Sequence, residues 1–231
     1  MSIKVRKSTE RGHFDHGWLN TYHTFSFGNY YDPEFMGFRT LRVINEDRVA
    51  PQNGFPLHSH KDMEIISLVL EGSLSHQDSL GEESSIQAGQ IQVMSAGTGI
   101  THSEYNASTN EPVHFLQIWV VPDKKGYTPR YEQKSFVLHE NNETLLVSPD
   151  SQKNSFTIHQ DVYISHIKLE KSQEFTKNLA QDRYGWIQVI KGDLTINEIP
   201  LHTGDGASIE AISQITVKAI NPSELLFFDL N

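Results

Sequence analysis

The sequence predicts an all-β protein built as two β-barrels in tandem. Three observations lead there. Short runs rich in β-branched, leucine and aromatic residues recur along the chain, no long stretch shows a helical period, and one glycine-punctuated unit occurs twice. The clearest runs are Ile65-Ile66-Ser67-Leu68-Val69-Leu70, then residues 113–121, which stop at Pro122, then residues 162–169, 186–190 and 225–228. Turn-forming groups such as Ser79-Leu80-Gly81-Glu82 and Asn221-Pro222 separate them. Many short strands at this spacing make a sandwich, a jelly roll or a barrel.

The repeat chooses tandem barrels. Leu70-Glu71-Gly72-Ser73-Leu74 is echoed by Ile190-Lys191-Gly192-Asp193-Leu194, and Ile86-Gln87-Ala88-Gly89-Gln90 by Leu201-His202-Thr203-Gly204-Asp205. Each copy reads as strand, glycine turn, alternating strand and second glycine turn. The polar stretch Lys124-Lys125-Gly126-Tyr127-Thr128-Pro129 is the linker candidate. The expected organisation is an N-terminal domain over 1–122, a linker region over 123–144 and a C-terminal domain over 145–231.

Composition narrows the function. The 231 residues are 37% hydrophobic and 21% charged, an ordinary globular mix. There is no cysteine, so disulfides, iron–sulfur clusters and thiol catalysis are excluded. No run approaches the ~20 apolar residues of a membrane span. MSIKVRKSTERGHF lacks the apolar stretch of a signal peptide, so the cytoplasm is the expected compartment. A net charge of −10 disfavours nucleic acid and anionic membranes as direct partners. Phosphate-loop, HExxH and GxSxG motifs are missing, and Gly97-Thr98-Gly99 lacks the third glycine of a dinucleotide fingerprint.

Twelve histidines are the unusual count. His58-Ser59-His60 puts two imidazoles on one strand face, because successive strand side chains alternate. Twelve histidines in 231 positions would make about 0.6 such pairs by chance, so the pair alone decides little. The second pair, His102-Ser103-Glu104, has the same spacing and follows the Gly97-Thr98-Gly99 turn. Together His58, His60, His102 and Glu104 form a set of three imidazoles and one carboxylate. That set suits a borderline divalent ion such as iron, nickel, cobalt, copper, manganese or zinc, with positions left for water, substrate or dioxygen. Counting from the repeated glycines, the matching positions in the second half are Asn178, Ala180, Val217 and Ala219. One barrel is therefore expected to carry an ion and the other to be metal-free.

These residues resemble a known family. The tandem barrel with its His-x-His and later His looks like a bicupin, two tandem cupin (jelly-roll-like) barrels. The N-terminal half is similar to pirins, above all to bacterial pirin-like quercetinases. The resemblance rests on residues 11–18, His23-Thr24-Phe25-Ser26-Phe27, residues 38–47, His58-Ser59-His60-Lys61-Asp62-Met63-Glu64, residues 70–72 and 76–79, residues 94–106, and the phrase from Gln117-Ile118-Trp119 to Tyr131. It covers about 130 residues densely and the C-terminal half more loosely.

The resemblance implies that His58, His60, His102 and Glu104 hold the metal, with iron(II) foremost and nickel, cobalt, manganese, copper or zinc as alternatives. Other cupins take their carboxylate from the first motif, here Glu64, whose parity with His60 makes it a second candidate; a supporting role is preferred for it. The implied activity is dioxygenase cleavage of flavonols such as quercetin with O2, releasing carbon monoxide, with Glu104 as the general base that takes the substrate's 3-hydroxyl proton. The expected partners are thus a small flavonol-like aromatic and O2, with the protein a monomer. The alternative is a non-catalytic metal or redox sensor, or transcriptional co-regulator module, as some pirins resemble. Phe25, Phe27, Phe55 and Pro56 flank the motifs but are not assigned to a binding slot. His76 and Asp78 are left outside the site as supporting or hairpin residues, and His13, His16 and His23 are read as packing residues.

Overall fold

The structure is a computed structural model that describes residues 2–231. Among these, strands account for nearly all regular structure, and two short 3-10 turns are the only helical segments. Among the described residues, no helix is long and apolar enough to cross a membrane. The chain divides into two compact units.

The first unit is Gly12–Phe136. Its larger sheet has seven strands in the order β12 (Arg130–Ser135), β9 (Gln90–Ser95), β6 (Glu64–Glu71), β11 (Val113–Val120), β4 (Leu41–Val49), β3 (Leu19–His23) and β2 (Gly12–Asp15). The smaller sheet runs β5 (Gly54–His60), β10 (Ile100–Tyr105), β7 (Ser73–Asp78), β8 (Glu83–Gln87). Alternation decides what each strand buries. Leu74 from β7 and Ile86 from β8 meet Leu19, Val49, Val69, Val113 and Phe115 of the larger sheet in one apolar cluster.

The second unit joins the residues up to Arg11 to Val137–Asn231. Its larger sheet runs β1 (Ser2–Arg6), β20 (Gly206–Glu210), β17 (Tyr184–Lys191), β22 (Ser223–Leu230), β15 (Val162–Leu169), β13 (Asn142–Ser148), β14 (Phe156–Thr157). Its smaller sheet is β16 (Glu174–Asn178), β21 (Gln214–Ala219), β18 (Asp193–Ile196), β19 (Ile199–His202). The order repeats that of the first unit except at one edge, where β14 runs parallel to β13 but β2 runs antiparallel to β3, so the sequence repeat is a structural one. The repeated glycines carry the chain from the larger sheet to the smaller one, between β6 and β7 and between β17 and β18, with φ of 76° at Gly72 and 87° at Gly192.

The expected domain limits differ from these units at both ends. β1 lies beside β20, where β12 lies beside β9 in the first unit. The N-terminal strand, expected in the first domain, thus serves the second: its alternation turns Ile3 and Val5 onto that unit's core. The expected linker, 123–144, contributes β12 to the first unit and the start of β13 to the second.

The glycine turn yields a stability prediction. A Cβ at Gly72 would lie 2.6 Å from the Pro112 carbonyl oxygen, whereas at Gly81, with φ of 92°, it would meet open space. Gly81→Ala therefore carries backbone strain alone, about 1 kcal/mol, and Gly72→Ala is expected to cost at least twice that. Urea unfolding of both variants checks this; equal losses would refute the steric argument.

Candidate metal centre

β5 and β10 are antiparallel neighbours whose register sets His102 opposite His58 and Ile100 opposite His60. β7 lies on the other side of β10, with Asp78 opposite His102 and His76 opposite Glu104. Alternation turns His102 and Glu104 inward, and both are 1% exposed. A bulge between them on the β5 side locally re-aims the strand.

The three imidazoles of His58, His60 and His102 converge. Ring centroids are 4.7 Å apart for His58–His60, 4.4 Å for His58–His102 and 5.0 Å for His60–His102. One ligand atom from each lies within 4.8 Å of the others. Glu104 falls in a second such group with His102 and His76, so His102 is common to both. Glu64 belongs to neither; it accepts a hydrogen bond from Ser95 Oγ at 2.8 Å. Its parity with His60 does not carry through, because β5 ends at His60 and β6 begins at Glu64 in the other sheet.

Hydrogen bonds set which nitrogen is free on His58 and His102. The Pro56 carbonyl can only accept, so His58 donates to it from Nδ1 at 2.8 Å and keeps Nε2 as a lone pair. Behind the centre, His76 donates from Nε2 to Asp78 Oδ2 at 3.0 Å. His76 Nδ1 is then the acceptor that His102 Nδ1 approaches at 3.5 Å. This leaves His102 Nε2 as a buried nitrogen without a hydrogen-bond partner among the described residues. An orphaned, lone-pair nitrogen aimed beside two other imidazoles is what a divalent ion needs, so the residues fit one. Burial drives the His102 pKa down to about 2, assisted by His58, His60 and His76; burial and then His58 take His60 down to about 4. Both rings are therefore neutral donors near pH 7.

Glu104 is held in the reverse sense. Its Oε1 accepts from Gln92 Nε2 at 2.5 Å, its Oε2 from Gln117 Nε2 at 2.9 Å. Burial raises its pKa, while His76 and the two amides pull against that rise. His76 and Asp78, set aside on the sequence, thus orient His102 from behind. Their shared strand face was legible; the approach of β7 to β10 was not. Asp78 Oδ1 also accepts from the Leu80 and Glu82 backbone N–H groups, which Asn would preserve. Asp78→Asn is accordingly expected to keep the turn but lower metal affinity about 10–100-fold. Chelator competition measures this, and unchanged affinity would remove Asp78 from the centre.

The centre opens into a cavity of about 460 Å³ lined by Phe14, Leu19, Phe27, Phe55, Pro56, Leu57 and Trp119, with His58, His60, Glu104 and Gln117 among its polar groups. Phe27, Phe55 and Pro56 therefore face the cavity, as do His16 and His23. Phe25 is core, at 1% exposed, and His13 stacks on Tyr22. Trp119 meets the His60 ring edge-on at 4.9 Å.

The second unit has no such group among the described residues. Register corrects the counterparts expected from glycine counting. Ile196 pairs with Val217 as His76 pairs with Glu104, and Lys177 pairs with Ile215 as His58 pairs with His102. The counterparts of His58, His60, His102 and Glu104 are therefore Lys177, Leu179, Ile215 and Val217, each one or two positions before the residue expected from glycine counting; the connecting turns differ in length. Leu179, Ile196, Ile215 and Val217 all lie in one apolar core cluster, so hydrocarbon fills the place of the imidazoles.

Residues 4–120 match the Pirin family and residues 145–230 the quercetinase C-terminal cupin domain. The chain is 49% identical over 228 residues to the quercetin 2,3-dioxygenase of Escherichia coli (strain K12), covering 99% of this chain and 98% of that one. It is 38% identical to a pirin-like protein of Caulobacter vibrioides, over 94% of this chain and 95% of that one. Among solved structures, the bacterial pirin YhhW from Escherichia coli in complex with nickel(II) superposes with a TM-score of 0.96 at 49% identity, covering 99% of each chain. With three converging imidazoles in one barrel and their apolar echo in the other, this chain belongs to the pirin family as a two-cupin, all-β protein.

Proposed function

We propose that the protein is a dioxygenase that opens the central ring of flavonols such as quercetin with O2 and releases carbon monoxide, using a divalent metal held by His58, His60, His102 and Glu104. The observation behind this reading is the convergence of three imidazoles, one of them shared with the buried Glu104 carboxylate, at an apolar cavity of small-molecule size. Its resemblance to the quercetin 2,3-dioxygenase of E. coli supports the substrate class. When bound, the ion supplies Lewis acidity toward the flavonol 3-hydroxyl and a seat for its reaction with O2.

The chain's own residues do the rest. Glu104 accepts the 3-hydroxyl proton: the substrate O–H bond breaks and a new O–H forms on the carboxylate. Burial raises its basicity toward that task, and Gln92 and Gln117 hold both oxygens in one orientation. Phe27, Phe55 and Trp119 offer flat apolar surface to the rings and exclude water from the flavonolate. Iron(II) is the ion proposed for the cell; the same donors accept nickel, cobalt, manganese, copper or zinc, so the assay must rank them.

The test is quercetin consumption in air by metal-stripped protein reloaded with each of these ions. Turnover with at least one ion is expected. A filled site without turnover for any of them would overturn the proposal in favour of a sensor.

A further inference from the structure

The larger sheet of the first unit carries a polar rung where an apolar one is expected. His23 pairs with Asn45, Asn45 with Gln117, Gln117 with Ser67 and Ser67 with Gln92, a row crossing five strands. One end of the row is explained: Gln117, Ser67 and Gln92 hydrogen-bond one another and hold Glu104. The other end is not. There Asn45 and His23 adjoin a second polar rung, the Asp47–Thr21 pair, and all four side chains line the cavity. They are buried, at 4% exposed for Asn45, 5% for Asp47 and 3% for Thr21. Asn45 Oδ1 has no hydrogen-bond partner among the described residues.

Burying polar groups without full hydrogen bonding costs stability, and native structures keep such groups where a ligand completes them. Their setting names the ligand's chemistry. An apolar slot with a few polar groups on one wall recognises a flat apolar body by its polar substituents. An amide both donates and accepts, and a carboxyl in either protonation state bonds a phenol.

We propose that Asn45 and Asp47 form a specificity subsite that hydrogen-bonds ring hydroxyls of a polyhydroxylated aromatic substrate, distinct from the hydroxyl that Glu104 deprotonates. This rests on the flavonol reading above and sharpens it. Asn45 and Asp47 act in recognition and take no part in the proton transfer. Sites that hydrogen-bond a substrate hydroxyl reject analogues lacking it, because their own polar groups are then left unpaired.

The test compares quercetin with 3-hydroxyflavone, which keeps the 3-hydroxyl but lacks the other hydroxyls. Binding to the nickel-loaded protein is titrated without oxygen. The unaltered protein is expected to favour quercetin by about ten-fold or more. In Asn45→Leu and Asp47→Leu, which are close to isosteric, that ratio should fall toward one. Thr21→Val reads the same patch from the neighbouring strand, and Asp47→Asn, which still bonds a phenol, should keep most of the preference. An unchanged ratio in both leucine variants overturns the subsite, as does failure of the unaltered protein to bind quercetin. Turnover in air separates the two readings. Turnover with an unchanged ratio removes the subsite and leaves the dioxygenase. Selective binding without turnover keeps the subsite and removes the dioxygenase.

Discussion

Glu104→Gln is expected to retain much of its metal on the three imidazoles and to lose quercetin turnover by a factor of about 10²–10⁴, the contribution of a positioned general base. The substitution is nearly isosteric, so the three imidazoles stay in place. It nonetheless sets an amide NH2 where Glu104 accepts from two other amides, Gln92 and Gln117. One of these must turn over. Gln92 can do so, because its Oε1 is buried without a hydrogen-bond partner among the described residues and would then accept from the new amide. The Ser67 hydroxyl, which now accepts from Gln92 Nε2 at 2.9 Å, keeps its one proton on Gln117 Oε1 at 2.7 Å, so the rearrangement gives up the Gln92–Ser67 hydrogen bond and no other. The fold is therefore expected to survive. Metal content by elemental analysis and quercetin absorbance, followed on the same sample, measure the two effects. Undiminished turnover would end the base assignment, whatever the metal content.

The double substitution His58→Ala plus His60→Ala should empty the centre. Losing one orienting residue behind a ligand costs about 10–100-fold in metal affinity, and removing two direct donors must cost more. What remains is the second group, His76, His102 and Glu104. It is a poorer site for an ion, since it brings two imidazoles where the intact centre brings three, and both nitrogens of His76 are already engaged, one with Asp78 and one with His102. His58 and His60 are only half-buried on β5, so their truncation opens no core cavity and should leave stability within about 1 kcal/mol. Elemental analysis after dialysis gives the result, with circular dichroism to confirm the strands. Unchanged metal content would move the ion to the His76 group and refute the His58–His60 assignment.

The two pairs were legible for a simple reason. A strand repeats every two residues, so His58 with His60 and His102 with Glu104 must share a face wherever the strands lie. The glycine-punctuated repeat was legible too. Positive φ at Gly72 and Gly192, with a carbonyl oxygen 2.6 and 2.5 Å from any added Cβ, admits no other residue without strain, so the turns mark themselves in the chain.

What lies between strands was not. Glu64 kept the parity of His60 on paper, yet the chain leaves one sheet and enters the other between them. The Asp78–His76–His102 chain and the Asn45–Gln117–Ser67–Gln92 row each depend on which strands lie side by side and in what register. β1 shows the same limit at the scale of units: nothing in Ser2–Arg6 says that it will lie beside β20, about two hundred residues away.

By itself, then, the sequence determined the all-β class and the doubled unit, and it named the His and Glu pairs proposed as metal ligands. Those properties follow from alternation, turn chemistry and side-chain donors, which act over a few residues. The tertiary structure alone decided which strand closes each barrel, which carboxylates reach the imidazoles and which polar groups line the cavity. Strand register is set by burial summed over partners distant in the chain, and no local pattern encodes it.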